Sequence, residues 1–259
     1  MDFYWIKMKH ISELSCQDLE PIKLIVFDVD GVLVRRGTKI KTEGNFTSFE
    51  TKKIHPDQIE QMRTLKEKGY LLNINSGRGL YMLQEMFREV LPFTSLTYEN
   101  GSSSWVDGEI YQHVNSFKKL NGLIPRVREI THENIKGYEP KEFIITVHCH
   151  DRVSGIEKLL GDYDNLYCLW NGEAYDIGIK EIQTKGVGVK KITEIYGLDK
   201  KNVIAIGDNY NDRELLENAG LKVTADSSRL PGNFYVDLEG ERLPADIMME
   251  QILKNTKSR

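Results

Sequence analysis

Cysteine is scarce in this chain. Cys16, Cys149 and Cys168 are the only three in 259 residues, odd in number and far apart. Such spacing supports neither a disulfide framework nor a zinc knuckle. Long apolar runs are missing as well. Nothing approaches the ~18 consecutive residues of a membrane span, and Met1 to His10 lacks the apolar stretch of a secretory leader. There is no basic excess either: 35 Lys and Arg face 39 Asp and Glu, a formal net charge of −4. That balance argues against nucleic acid as a partner, and the basic tail from Lys254 to Arg259 reads as a solvated terminus. Internal repeats and low-complexity stretches are absent. The expectation is a cytoplasmic, reduced protein, monomer or homodimer, with no membrane or nucleic-acid partner. The sequon-like Asn45-Phe46-Thr47 and Asn100-Gly101-Ser102 are then chance matches.

What is present is an ordinary globular composition, 40% hydrophobic and 29% charged. Its length suffices for one large domain, or for a domain carrying a smaller inserted one. Leu24-Ile25-Val26-Phe27 is a short β-prone run without polar alternation, as expected of a strand buried on both faces. A Thr-, Lys- and Gly-rich stretch from Arg35 to Lys53 reads as a flap or loop. From Pro56 to Lys68, Ile59, Met62 and Leu65 recur at helical spacing, with Gly69 as the stop. Tyr70 to Asn75 reads as a strand, Leu80 to Val90 as a helix and Ser95 to Tyr98 as a third strand. Alternation of this kind predicts an α/β fold: a parallel sheet with helices on both faces.

After Asn100-Gly101 the rhythm changes. Trp105 to Tyr111 reads as a hairpin around Asp107-Gly108. A helix over Phe117 to Ile130 follows, then a strand over Phe143 to His148 and a helix over Ser154 to Leu160. Strands over Leu166 to Leu169 and Tyr175 to Ile179 complete a block that reads as its own small α+β layer. The first rhythm resumes with a helix from Lys185 to Tyr196 and strands over Val203 to Ile206 and Leu221 to Thr224. A helix over Ala245 to Leu253 closes it. The stretch before Pro21 is expected to be a helix packed on the core.

The chemistry lies at strand ends. Asp28-Val29-Asp30-Gly31 follows the first buried strand directly, and in an open parallel sheet ligands bind at the carboxyl ends of the strands. A solvated acidic turn is one alternative. A calcium loop is another, but Val32 stands where the next oxygen ligand should be and no Glu closes the loop. A second buried strand, Val203 to Ile206, runs into Gly207-Asp208-Asn209-Tyr210-Asn211-Asp212. Two parallel strands ending side by side would gather three or four carboxyl groups. Such a cluster repels itself unless a hard cation such as Mg²⁺ joins it. Ser76 and the loop it opens offer a hydroxyl and backbone N–H groups ahead of a helix, and Lys185 offers a compact cation. Taken singly, each is more often a cap or a surface lysine.

Taken in order, Asp28-Val29-Asp30-Gly31-Val32-Leu33, Ser76-Gly77-Arg78, Lys185-Gly186 and Gly207-Asp208-Asn209-Tyr210-Asn211-Asp212 resemble the four motifs of the haloacid dehalogenase (HAD) superfamily. Asn100-Gly101, with the insertion between the second and third motifs, resembles the sugar-phosphatase-like subgroup IIB with a C2-type cap. The resemblance implies a Rossmann-like core over 23–111 and 184–259, an inserted α+β cap over 112–183, and an N-terminal extension over 1–22. It implies a Mg²⁺-dependent phosphomonoester hydrolase of small phosphorylated metabolites, a sugar phosphate or a phospho-acid. Asp28 would be the nucleophile and Asp30 the general acid/base. Ser76, Gly77, Lys185 and Asn211 would bind the phosphoryl group. Asp28, the Asp30 carbonyl and Asp208 would hold the metal, with Asp212 and Asn211 buttressing it and Lys185. Arg78, directly after the phosphate loop, is the expected substrate contact; Arg126, Arg128 and Arg152 are expected surface charges. A phosphosugar mutase and a non-catalytic phosphate sensor are the alternatives. His148-Cys149-His150 is expected to be ordinary cap strand, because Cys149 must face away from both histidines. Tyr138, Trp170 and Tyr175 are expected in the cap core.

Overall fold

The computed structural model describes residues 8–43, 46–237 and 241–256. Strands β1 (Lys9–His10) and β2 (Leu24–Phe27) precede a hairpin of β3 (Lys39–Glu43) and β4 (Phe46–Glu50). Next come β5 (Leu71–Asn75), β6 (Ser95–Tyr98), β7 (Ser103–Val106) and β8 (Glu109–Gln112). Four strands follow in the inserted block: β9 (Ile135–Glu139), β10 (Ile145–Cys149), β11 (Leu166–Trp170) and β12 (Ala174–Ile179). The chain then returns through β13 (Val203–Gly207), β14 (Leu221–Thr224) and β15 (Phe234–Tyr235). The main sheet has the order β1-β15-β14-β13-β2-β5-β6-β7-β8. It is parallel from β1 to β6, and β7 and β8 extend it antiparallel.

Period-two alternation in β2 builds the layers. Ile25 and Phe27 pack with Met62, Leu65, Met248 and Met249, from the helices Pro56–Glu67 and Pro244–Asn255. Leu24 and Val26 pack on the opposite face with Val189, Ile192 and Leu215, from the helices Lys185–Ile195 and Arg213–Glu217. Both faces are therefore covered, the arrangement that the unalternating apolar run required. Strand β2 lies at the centre, between β13 and β5, so the carboxyl ends of all three open onto one crevice.

The inserted block has its own antiparallel sheet, β11-β12-β10-β9, and its own buried cluster. Leu123, Val127, Val147, Ile156 and Ile177 are its centre. Cys149 belongs to that cluster, on the face that the alternation predicts, and so does Tyr175, with Tyr138 and Trp170 packed against it.

Several elements differ from expectation. The helix expected over Phe117 to Ile130 forms two pieces, Phe117–Leu120 and Leu123–Arg128. Gly122 separates them, and Pro125, which has no N–H to donate, sits in the first turn of the second piece, where none is needed. The polar stretch from Arg35 to Lys53 is not only loop: it forms the β3-β4 hairpin, paired from Lys39↔Glu50 to Glu43↔Phe46. Before Pro21 lie a four-residue helix, Cys16–Leu19, and β1, which pairs with β15 at the sheet edge. Strand β10 starts two residues late, because the N–H groups of Phe143 and Ile144 are taken by the Glu99 carboxylate. The Asp107-Gly108 hairpin forms as expected, both residues with positive φ (50° and 89°).

Candidate active site

Asp28 leaves the end of β2 with 3% exposure, its N–H donating to Ile206 O of β13 at 3.1 Å. Lys185 enters from the first turn of the helix Lys185–Ile195, which is capped by the Thr184 hydroxyl accepting from Val187 N. Its Nζ donates to Asp28 Oδ1 and to Asp212 Oδ1, each at 2.5 Å. The other Asp212 oxygen accepts the N–H groups of Asp208 and Asn209 at 3.0 and 3.1 Å, which fixes the turn after β13. One carboxylate thus locks both the lysine and the loop carrying Asp208.

Asp28, Asp208 and Asp212 each offer an oxygen within 4.8 Å of the others, and all three are buried. Burial, reinforced by Asp212, pushes the Asp28 carboxyl up to about 8 against the pull of Lys185. Burial also raises Asp208. For Lys185, burial works against the charge, but Asp212 and Asp28 more than offset it and leave the ammonium raised. Three crowded carboxylates face two cations, the Lys185 ammonium and the Arg36 guanidinium on Asp208, so negative charge is still in excess. An oxygen-only set without His or Cys fits a hard divalent cation. Gly31 is obligatory here: its φ is +88°, and a Cβ would stand 2.0 Å from Asp208 Oδ2.

Ser76 follows β5, and its hydroxyl accepts from Arg78 N at 3.2 Å. The Arg78 guanidinium is held bidentately by Asp30, Nη2 to Oδ1 at 2.7 Å and Nε to Oδ2 at 2.9 Å, and also reaches Thr51. The residue expected to face substrate therefore grips Asp30. Asn211 lines the same cavity, and its Oδ1 is buried without a hydrogen-bond partner among the described residues.

Sequence reasoning missed the groups that complete the cavity. Arg36, from the turn before β3, pairs with Asp208 through Nη2 at 2.7 Å. From the inserted block come Glu139, Lys141, Thr146, His148 and Asp176. His148 is not an ordinary strand residue: its Nε2 lies 2.9 Å from Glu139 Oε2, at the cavity wall. Burial raises the Glu139 carboxyl, but Lys141 and His148 outweigh it and hold the group at about 2. The signal was available. Thr146 and His148 are polar at alternate positions of a strand whose other positions are apolar, so one face of β10 needed a polar destination. Arg36, Lys141 and Glu99 carried no pattern at all.

These findings agree with what the chain resembles. The family model for haloacid dehalogenase-like hydrolases matches residues 25–145 and 126–229. A phosphoglycolate phosphatase of Sulfolobus acidocaldarius is 26% identical over 207 residues, 78% of this chain and 82% of that protein. A 5-amino-6-(5-phospho-D-ribitylamino)uracil phosphatase of Bacillus subtilis is 24% identical over 221 residues, 78% of this chain and 83% of that protein. Among solved structures, a HAD subclass IIB sugar phosphatase aligns with a TM-score of 0.60 at 19% identity, covering 90% of this chain and 96% of that one. No helix among the described residues is long and apolar enough to cross a membrane. The chain belongs to the haloacid dehalogenase-like hydrolases, and it shares its fold with a subclass IIB member.

Proposed function

We propose that the protein is a Mg²⁺-dependent phosphomonoesterase that works through an aspartyl-phosphate on Asp28. The observation that carries this reading is the buried contact of Asp28 with Lys185, beside a cluster of three carboxylates, Asp28, Asp208 and Asp212, whose oxygens lie within 4.8 Å of one another. Asp28, Asp208 and the Asp30 carbonyl would hold Mg²⁺, with Asp212 steadying the site from the Lys185 side. Bound there, the ion supplies charge neutralisation between the carboxylates and the phosphoryl oxygens.

The protein's own groups divide the rest. Ser76 and the backbone of Gly77 orient the phosphoryl group, with Lys185 and the Asn211 amide beside it. An Asp28 oxygen attacks phosphorus, the bond to the leaving oxygen breaks, and that oxygen takes its proton from Asp30. Water then attacks the same phosphorus and gives its proton to Asp30. The bond to Asp28 breaks, and the carboxylate returns with inorganic phosphate released. Arg78, paired with Asp30, sets the orientation of that acid.

The cavity that Asp28 lines is about 70 Å³, small beside the ~300–1,000 Å³ of common ligand pockets. A short leaving group suits it, a small sugar phosphate or a phospho-acid such as the substrate that names the Sulfolobus relative. The test of the metal is direct. Hydrolysis of p-nitrophenyl phosphate should vanish with EDTA and return with Mg²⁺, whereas full activity in metal-free buffer would contradict the reading. A panel of phosphomonoesters then ranks the substrates.

A further inference from the structure

The loop at residues 76–78 is held by its carbonyls. Asn100 N donates to Ser76 O at 3.1 Å, and Glu99 N donates to Arg78 O at 3.1 Å. The carbonyl between them, Gly77 O, accepts from Lys141 Nζ at 2.8 Å. Two of the three donors come from the sheet core, but the third comes from the inserted block.

Lys141 is not there by chance contact. Its side chain is buried, with Thr146 Oγ1 at 2.6 Å and the Glu139 and Asp176 carboxylates at 3.4 and 3.6 Å. The chain just after it is gripped from the core side. The Glu99 carboxylate accepts the N–H groups of Glu142, Phe143 and Ile144 at 3.0, 2.6 and 3.1 Å. Phe143 O in turn accepts from Gln183 Nε2 at 2.7 Å, which ties in the second connection to the inserted block. Glu99 is 2% exposed and, with Asn100, takes a left-handed backbone at φ 48° and 54° that non-glycine residues rarely adopt. Strain of that kind persists only where the surroundings over-determine it. Here the backbone of Glu99 fixes the loop while its side chain fixes the inserted block.

We propose that Glu99 and Lys141 are a pair of positioning residues that make the geometry of the phosphoryl-binding loop depend on the seating of the cap. The proposal rests on the reading of residues 76–78 as that loop. Ser76 N donates to Thr97 O at 2.9 Å and Arg78 N to Ser76 Oγ at 3.2 Å. With the three carbonyls turned to their donors, the Gly77 N–H between them is set for an anion only when Lys141 is in place. Binding of phosphate and closing of the cap then favour each other.

Inorganic phosphate is the probe, read as competitive inhibition of p-nitrophenyl phosphate hydrolysis by the Mg²⁺-loaded enzyme. Lys141→Met and Glu99→Gln should each weaken phosphate by about tenfold, the size of one hydrogen bond to a charged group. The double variant should be no weaker than the worse single one, because both break the same linkage. Lys141→Arg should recover most of the loss. In the wild-type protein, phosphate should slow amide hydrogen exchange at residues 142–144, a measurement that needs no variant to fold. Unchanged phosphate inhibition in Lys141→Met, additive losses, or exchange at 142–144 indifferent to phosphate would each overturn the pairing. Ser76→Ala separates the two levels. If it abolishes phosphate inhibition while Lys141→Met does not, only the clasp falls; if it leaves inhibition intact, the reading of the loop falls with it.

Discussion

Lys185 shows how tightly chemistry and folding are joined at one residue. Its ammonium sits 2.5 Å from both Asp28 and Asp212, and all three are buried. Removing one partner of a buried ion pair leaves uncompensated charge, at a cost of about 3–5 kcal/mol. Lys185→Met should therefore lose stability of that order in urea unfolding with EDTA present, as well as activity. Wild-type stability would mean that the carboxylates do not depend on this lysine. At this scale the sequence was legible wherever a carboxylate or a hydroxyl stood directly after a buried strand. Asp28, Ser76 and Asp208 are such residues, and their positions follow from strand ends in a parallel sheet. Arg36, Glu99 and Lys141 were not legible. Each is a charged residue in a turn or connection, and only tertiary contact tells it from a solvated one. Arg78 was seen, but its tie to Asp30 follows from a distance no spacing encodes.

Elements were legible in type more than in extent. The apolar strands and the helix carrying Lys185 form where the periodicity places them. Boundaries moved where a side chain elsewhere took a backbone group, as Glu99 does ahead of β10. The β3-β4 hairpin was hidden because its mostly exposed residues alternate weakly. Packing between elements turns on Gly101, whose φ is +78°. A Cβ there would lie 2.3 Å from Thr184 O and 2.6 Å from Gly188 N, against the start of the helix that presents Lys185. Gly101→Ala combines a disfavoured backbone with overpacking, each about 1–3 kcal/mol. Gly108 supplies the control, since its φ is +89° but a Cβ there meets nothing within 4 Å. Gly101→Ala should be clearly the less stable in thermal unfolding and should lose kcat/KM through the displaced lysine. Equal stability of the two variants would show that the close approach does not matter.

At the scale of the whole molecule, two buried clusters with separate sheets meet over one cavity. The strand ends of the main sheet and the helix Lys185–Ile195 on its face contribute the residues proposed to touch the phosphoryl group. The inserted block contributes a wall of paired charges, Glu139 with His148 and Lys141 with Asp176. This division explains why the order of motifs in the sequence sufficed for the reaction class but not for the substrate. The reacting groups recur at strand ends, whereas the wall is set by side chains scattered over the insertion.

The central claim is covalent chemistry on Asp28, and one measurement reaches it most directly. Asp30→Asn keeps the Asp30 backbone carbonyl, so metal and substrate should still bind. Loss of general acid–base help, typically worth ~10²–10⁴-fold, should fall mainly on water attack when the leaving group is weakly basic. Mixed rapidly with p-nitrophenyl phosphate, Asp30→Asn should release a burst of p-nitrophenol near one equivalent per site. Acid quench and peptide mass spectrometry should then find the phosphoryl group on Asp28. Steady turnover at the wild-type rate with no trapped intermediate, or phosphate found on Asp208 or on a histidine, would contradict the account.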